Sequence, residues 1–206
     1  MGMKKQWLSL RFFEVWLIML SVANYALGAN ANPRFVDNLD GTITDNQTKL
    51  MWEKKTGSIG TMSDCTLMPP TGPNCNEPTN VNNVYNWSTS TNNTAPEGTL
   101  FTVFLANLNC IVAGNNKKCG LGSYRDWRIP RLDELRSILR AESPDCPVIP
   151  CIDPSFGPTQ QAYYYTFTSL DDTKNDTIFM VNFTDGFVGT RAKYSLFFAR
   201  AVRSIP

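Results

Sequence analysis

The chain has 206 residues, with 19 Lys and Arg against 18 Asp and Glu, so its formal net charge is +1. This length suits a single domain with a sizeable core, and a charge so close to zero argues against nucleic acid and anionic membrane surfaces, which select clustered basic residues. Histidine is absent, which excludes Ser-His-Asp and Cys-His sites and removes the commonest metal ligand.

The N-terminal segment 1–31 has the pattern of an export signal. A basic start precedes an apolar run over 15–23, which is shorter than the about 20 residues that a membrane span needs. Small residues provide a cleavage site after Ala31, with an alternative after Gly28. The segment carries three basic residues and one acidic residue, so removing its charge of +2 leaves the mature chain at −1. We predict a signal peptide over 1–31, a domain over 32–206 without a membrane span, and a secreted or periplasmic location.

Short β-prone pieces open the mature chain. They occupy 35–36, 42–44 and 50–52. The pairs Asp40-Gly41 and Asp45-Asn46 lie between these pieces and tolerate the positive φ of tight turns. The pattern predicts an antiparallel meander.

Residues 57–98 differ in composition, because Gly, Ser, Thr, Asn and Pro occupy 28 of these 42 positions. Such a composition predicts a long surface loop. Tyr85 and Trp87 lie in this loop and are candidate ligand-binding residues, since aromatic faces beside amide side chains suit sugars or peptides. The alternative is that both rings anchor the far end of the loop to the core.

Two amphipathic helices follow the loop. Apolar residues recur at three- and four-residue spacing over 99–108, and a second helical stripe begins after Pro130 and is stopped by Ser143-Pro144. The last third of the chain has strand patterns again, at 163–169, 177–183, 187–191 and 195–203.

The order of strands, two helices and strands predicts an α+β fold with a largely antiparallel sheet and long, disulfide-stapled loops. We expect 34–54 and 163–203 to share one antiparallel sheet, because both ends of the chain carry hairpin chemistry. Trp52 and Trp127 are expected to be buried and structural.

The six cysteines fall as three close pairs, for which we predict the disulfides Cys65–Cys75, Cys110–Cys119 and Cys146–Cys151. An even number of cysteines behind an export signal indicates an oxidising compartment. Fifteen connectivities are possible for six cysteines, and the local one is favoured because each pair brackets a short segment rich in Pro, Gly or Asn. No Cys-x-x-Cys spacing supports a zinc site or thioredoxin-like chemistry.

A short acidic stretch between two predicted strands contains Asp171, Asp172 and Asp176. Three carboxylates could hold calcium through oxygen ligands, so these residues are candidate ligand-binding residues. The alternative is a solvent-exposed acidic hairpin tip. No set of residues has a metal-site pattern, and we predict neither a metal nor a cofactor.

Several motifs occur in a characteristic order. The most specific is Asp126-Trp127-Arg128-Ile129-Pro130, and the others lie at 35–42, 44–46, 50–52, 134–135, 151–156, 181–186 and 200–203. Together they resemble the Lcl C-terminal domain family, a bacterial family named after the end domain of a Legionella collagen-like adhesin. The resemblance covers about 34–204. A fainter resemblance links 127–130 and the Val-Arg ending to the C-type-lectin-like fold of formylglycine-generating enzymes.

The absence of histidine and of Cys-x-x-Cys spacing removes the commonest catalytic sites, and binding is the function class that is left. We therefore predict a non-catalytic binding module for a cell-surface glycan or protein, with no nucleic-acid partner. The adhesin's preference for sulfated polysaccharide transfers poorly, because this chain has no collagen tract and its mature part is not basic. Two alternatives stay open: a carboxylate-based envelope hydrolase, since Asp and Glu occur throughout the chain, and a structural component of a surface assembly.

Overall fold

The computed structural model describes residues 33–67, 75–90, 95–111, 120–141, 144–170 and 176–206. The described ranges contain nine strands: β1 (Phe35–Asp37), β2 (Thr42–Asp45), β3 (Leu50–Glu53), β4 (Ser63–Asp64), β5 (Asn83–Val84), β6 (Tyr163–Ser169), β7 (Thr177–Asn182), β8 (Val188–Ala192) and β9 (Val202–Ser204). They also contain a π-helical segment (Leu100–Leu105), two α-helices, α1 (Ala106–Leu108) and α2 (Leu132–Ser137), and two 3₁₀ turns (Leu121–Ser123 and Pro154–Phe156).

The predicted meander is confirmed in the first sheet, whose strand order is β1-β2-β3-β9. All three pairings are antiparallel. Side-chain carboxylates organise the turns: Asp40 accepts a hydrogen bond from the Thr42 N–H at 3.0 Å, and Asp45 accepts one from the Gln47 N–H at 2.9 Å. Gly41 has φ +90°, a value that glycine adopts without strain.

The strands β6, β7 and β8 form a second antiparallel sheet of their own. The prediction that 163–203 joins the first sheet is therefore wrong for 163–192 and right for β9, which pairs with β3. The physical reason is that β6, β7 and β8 satisfy their main-chain groups through local hairpins. The segment before β9 connects the sheets, since Phe198 forms a parallel bridge with Tyr164.

Both predicted helices are present. The first covers Leu100–Leu105 and α1, close to the predicted 99–108, and buries Leu100 and Phe104. The second is shorter than predicted, because α2 ends at Ser137 and Leu139 already forms a β-bridge with Ile152. Within the described ranges, no helix combines the length and apolar character that crossing a membrane requires.

The core consists of two clusters of buried apolar residues, and each cluster takes residues from both sheets. One contains Trp127 together with Met51 and Met180, and the other contains Trp52 together with Val181. The burial predicted for Trp52 and Trp127 is confirmed, since their exposed fractions are 0% and 3%. The two sheets therefore share their hydrophobic packing although their strands are not paired.

A cluster of three buried charged residues, Glu53, Lys55 and Arg200, joins the end of β3 to the C-terminal segment; we call it the Glu53 charge cluster. Glu53 Oε1 lies 2.6 Å from Lys55 Nζ, and Glu53 Oε2 accepts a hydrogen bond from the Ala201 N–H at 3.1 Å. The Arg200 guanidinium donates to the carbonyls of Glu53 and Phe156, each at 3.1 Å. Burial lowers the pKa of Lys55, while the adjacent Glu53 carboxylate acts in the opposite direction.

Two of the three predicted disulfides are confirmed. Cys65 bonds to Cys75 and Cys146 bonds to Cys151, with Cα atoms 5.8 Å and 5.7 Å apart. Cys110 is also disulfide-bonded, and its predicted partner Cys119 lies outside the described residues. Each of the two described bridges closes a short loop, of ten and five residues respectively.

Replacing Cys146 and Cys151 together by Ala is expected to lower the free energy of unfolding by roughly 2–3 kcal/mol, because a short bridge removes little entropy from the unfolded chain. Urea unfolding of the oxidised protein measures the change. The variant should remain folded, since the bridge closes a loop of only five residues and neither cysteine belongs to the two clusters of buried apolar residues. A globally unfolded variant would contradict this account of the disulfides, as would a peptide map of the wild type that links Cys65 or Cys75 to any cysteine after Cys75.

Candidate functional site

The structure places both aromatic residues of the long loop in the core. Tyr85 is 0% exposed and Trp87 is 3% exposed. Tyr85 packs against Phe104 at a ring-centroid distance of 5.1 Å, and its hydroxyl accepts a hydrogen bond from Asn83 at 3.2 Å. The role expected for these rings as exposed ligand contacts is therefore corrected, and the alternative of an anchor describes them. Burial of large aromatic rings removes more apolar surface from water than burial of the small polar residues around them, and therefore stabilises the folded loop most.

The acidic stretch is described only in part, because Asp171 and Asp172 lie outside the described residues. Asp176 is half-buried, and its main-chain carbonyl accepts a hydrogen bond from the Lys193 N–H at 2.9 Å. Across the described ranges, no group of three or more Cys, Asp or Glu is placed to hold a metal ion. The calcium hypothesis therefore stays a prediction for the undescribed part of this stretch.

A groove of about 980 Å³ opens between α2, the π-helical segment and the edges of the two sheets. We call it the Arg128 groove. Its apolar lining residues are Leu50, Phe101, Leu105, Ile129 and Phe167. Its polar lining residues are Thr48, Arg128, Arg131, Asp133, Glu134, Ser137 and Ser204. A concave surface with an apolar wall and a few convergent polar groups has the composition typical of ligand sites.

Arg128 and Glu134 form the polar centre of the groove. Two Arg128 nitrogens each donate to a different Glu134 oxygen at 2.7 Å, which is the fork geometry of a bidentate pair. The main chain of Arg128 is fixed because it pairs with Val202 of β9 in both directions at 2.9 Å. The Glu134 carboxylate also accepts from the Arg131 N–H at 2.8 Å, which closes the first turn of α2.

The electrostatics of the pair favour its charged form. Burial acts to raise the pKa of Glu134, but the hydrogen bonds from Arg128 and from the Arg131 N–H outweigh burial and leave that pKa below its ordinary value. The hydrogen bond to Glu134 likewise raises the pKa of Arg128. The Arg128 side chain is still 41% exposed, whereas Glu134 is 9% exposed. Arg128 can therefore offer further N–H donors to a ligand while Glu134 holds it in place.

The aromatic wall of the groove is supported from behind by Trp87. The Phe101 and Phe167 rings lie 4.8 Å and 5.2 Å from the Trp87 ring, between centroids. Phe167 keeps 51% of its surface exposed. Its N–H donates to the Pro130 carbonyl at 2.7 Å, which fixes the strand β6 against the start of α2. Trp87 thus positions two groove rings without reaching the solvent itself.

Glu134→Gln is expected to lower the free energy of unfolding at about pH 7 by about 1–2 kcal/mol, because the partner Arg128 is only partly exposed. The folded-state pKa of Glu134 lies below its unfolded value, so its contribution is complete above about pH 5 and is lost as the pH falls through the folded-state pKa. Urea unfolding at neutral and acid pH measures this dependence.

The matched control is Asp133→Asn, a neighbouring carboxylate that is 73% exposed and should change stability little. The difference between wild type and Glu134→Gln should narrow towards acid pH. A difference that stays constant between about pH 7 and about pH 3 would contradict the account of this ion pair.

The groove contains residues of the most specific sequence motif, and the family comparison covers the same region. The model of the Lcl C-terminal domain matches residues 41–203. The chain belongs to the Lcl C-terminal domain family. The match covers the two sheets except β1 and the last residue of β9, both helices, and every residue that lines the Arg128 groove except Ser204, so the resemblance to this family seen in the sequence is confirmed.

Most motif residues of this Lcl C-terminal domain have architectural roles. Asp126 accepts hydrogen bonds from Arg203 at 2.7 Å and 3.2 Å, and the Trp127 indole N–H donates to the Leu121 carbonyl at 3.0 Å. Arg128 alone among them combines an ion pair with substantial exposure in the groove. In the sequence Arg128 is visible only as a residue of the motif, and Glu134 six residues later was the available signal for its partner.

The Lcl C-terminal domain described here has no significant match among curated proteins or among solved structures. The fainter likeness to the C-type-lectin-like fold therefore stays a prediction.

Proposed function

We propose that this Lcl C-terminal domain is a secreted or periplasmic, non-catalytic binding module that takes a cell-surface glycan or protein in the Arg128 groove. One observation carries the proposal: the groove combines a half-exposed aromatic ring, Phe167, with the partly exposed guanidinium of Arg128. An apolar platform beside a fixed, charged donor is a common arrangement for holding an amphipathic ligand.

The direction of the carboxyl pKa shifts supports binding over hydrolysis. A glycoside hydrolase needs one carboxyl group whose pKa is raised so that it can act as a general acid. Glu134, the buried carboxylate of the groove, has a lowered pKa and is held as a carboxylate by Arg128. Downward shifts also occur at Asp37, Asp45, Asp126 and Asp153.

The disulfides support the proposed location. Cys65–Cys75 and Cys146–Cys151 each close a short loop. Such bridges persist in the periplasm and outside the cell, where the redox environment is oxidising. The export signal predicted from the first 31 residues agrees with this location.

The test is a screen of the oxidised domain against an array of surface glycans and bacterial and host surface proteins, followed by two variants. Phe167→Ala should weaken the best hit by at least about tenfold. Phe187→Ala is the matched control, because Phe187 is 48% exposed, precedes β8 in the same sheet and lies outside the groove. Hits that both variants bind equally well, or turnover of a glycan during the assay, would count against the proposal.

A further inference from the structure

We infer that the Arg128 groove selects an uncharged oligosaccharide rather than an anionic glycan or an extended peptide. This inference rests on the proposed function, because it names the ligand class of the same site. Three features of the groove carry it: its charge balance, the occupation of its main-chain donors, and the shape of its aromatic wall.

The charged side chains of the groove are paired within it. Arg128 is bound by Glu134 through two hydrogen bonds of 2.7 Å, and Arg131 lies 3.6 Å from Asp133. Two cations therefore face two anions, and the lining has no net charge. At the rim, Arg34 donates to the Ser137 carbonyl and is itself paired with Asp45 at 2.9 Å. An anionic ligand would have to compete with these carboxylates, whereas a sugar hydroxyl can accept from the guanidinium and donate to the carboxylate without displacing either.

Three main-chain N–H groups of the groove already have partners. The Arg128 N–H donates to Val202, the Arg131 N–H to Glu134, and the Phe167 N–H to Pro130. An extended peptide that adds to a sheet takes most of its affinity from unpaired main-chain groups at a strand edge. These three positions do not offer that edge, which favours recognition through side chains.

The aromatic and charged side chains of the groove suit a sugar ring. Phe167 presents about half of its surface, 51%, and Trp87 fixes its ring from behind at 5.2 Å. A rigid aromatic face accepts the apolar C–H face of a pyranose, while the equatorial hydroxyls reach donors and acceptors at the side. Arg131 and Asp133 are 66% and 73% exposed and provide both kinds of partner. The groove volume of about 980 Å³ is near the upper end of ligand sites, which suits several sugar units rather than one.

The experiment is isothermal titration of the oxidised domain with three sets of probes. They are neutral oligosaccharides of glucose, mannose, galactose and N-acetylglucosamine, sulfated versions of the same sugars, and a library of unstructured peptides. We expect at least one neutral oligosaccharide to bind, with an affinity that changes by less than about twofold from about 0.05 M to about 0.5 M sodium chloride, because no net charge is screened.

Single-residue variants test whether the neutral oligosaccharide binds in the Arg128 groove. Phe167→Ala should weaken it by about tenfold or more and Phe167→Tyr should retain it, while Phe187→Ala, the exposed control, should leave it unchanged. Arg131→Gln keeps a side-chain N–H donor for a sugar hydroxyl but removes the charge, so it should weaken an anionic ligand by about tenfold or more and the neutral sugar clearly less.

The experiment distinguishes a failure of the uncharged-oligosaccharide inference from a failure of the binding-module proposal. If only sulfated sugars or only peptides bind, and Phe167→Ala removes that binding, the uncharged-oligosaccharide inference is wrong and the binding module stands. If no probe binds in a manner that depends on Phe167, both are wrong. Neutral-sugar binding that is lost at high salt also overturns the inference.

Discussion

Glu53→Ala is expected to lower the free energy of unfolding by about 3–5 kcal/mol, the range found when one member of a buried ion pair is removed. The substitution leaves Lys55 and Arg200 buried and removes the carboxylate that pairs with Lys55 at 2.6 Å. It also leaves the Ala201 N–H without its 3.1 Å partner. Urea unfolding at neutral pH, monitored by circular dichroism and tryptophan fluorescence, measures the loss.

A partly exposed ion pair between β1 and the residue that follows β3 provides the control. Asp37 pairs with Lys54, and both side chains are about a third exposed, at 29% and 32%. Asp37→Ala should therefore cost only about 0–1 kcal/mol. Combining Glu53→Gln with Lys55→Met should be less destabilising than the sum of the two single changes, because it removes both members of the pair. A Glu53→Ala variant as stable as Asp37→Ala would refute the role given to the Glu53 charge cluster.

Trp52→Ala and Trp127→Ala are each expected to cost about 3–5 kcal/mol, as for other large buried aromatics. Trp52 lies in the middle of β3, opposite Ile43 of β2 and Val202 of β9, and its ring packs edge-on against Phe156 at 6.2 Å. Removing it leaves a cavity where the sheet meets the Pro154–Phe156 turn. Thermal and urea unfolding of the single variants measure the cost.

Tyr194→Ala is the control for the tryptophan variants, because Tyr194 is 47% exposed and should change stability by no more than about 0.5 kcal/mol. Ligand binding by Trp127→Ala should also be measured, because Trp127 is adjacent to Arg128 of the groove. If Trp127→Ala unfolds like the wild type but loses ligand binding, the residue is a binding platform and its structural assignment is wrong.

Turn-forming residues and apolar stripes made the turns of the first sheet and the two helices predictable from the sequence. The pairs Asp40-Gly41 and Asp45-Asn46 marked the turns of the first sheet, and Gly186, which has φ +80°, lies in the turn between β7 and β8. Turn residues act over three or four positions, so their consequences can be read from adjacent sequence. The two helices were predictable for the same reason, because their apolar stripes repeat within one element.

Pairings between distant segments were not predictable in the same way. The alternating pattern of 163–192 fits either sheet, and only the tertiary structure shows that β9 alone returns to pair with β3. Hydrophobic patterning specifies which face of a strand is buried, but it does not specify which strand lies beside it.

The residues of the candidate site were likewise predictable where they belong to a local motif and not where they depend on contacts between distant segments. Tyr85 and Trp87 were candidate ligand-binding residues because they are aromatic residues in a polar loop. Both are buried, and Trp87 contributes to the groove only by packing against Phe167. Arg128 and Glu134 were visible as motif residues. Their position beside Phe167 depends on the contact between the start of α2 and β6, which no spacing in the sequence encodes.

The most direct test of the central claim, that the Arg128 groove is the binding site, is amide hydrogen exchange on the full oxidised domain with and without its best array ligand. Saturation with ligand should slow exchange in peptides that cover 128–137 and 163–170, and Phe167→Ala should abolish the slowing. Slowed exchange confined to segments away from the groove, with 128–137 and 163–170 unchanged, would contradict the claim.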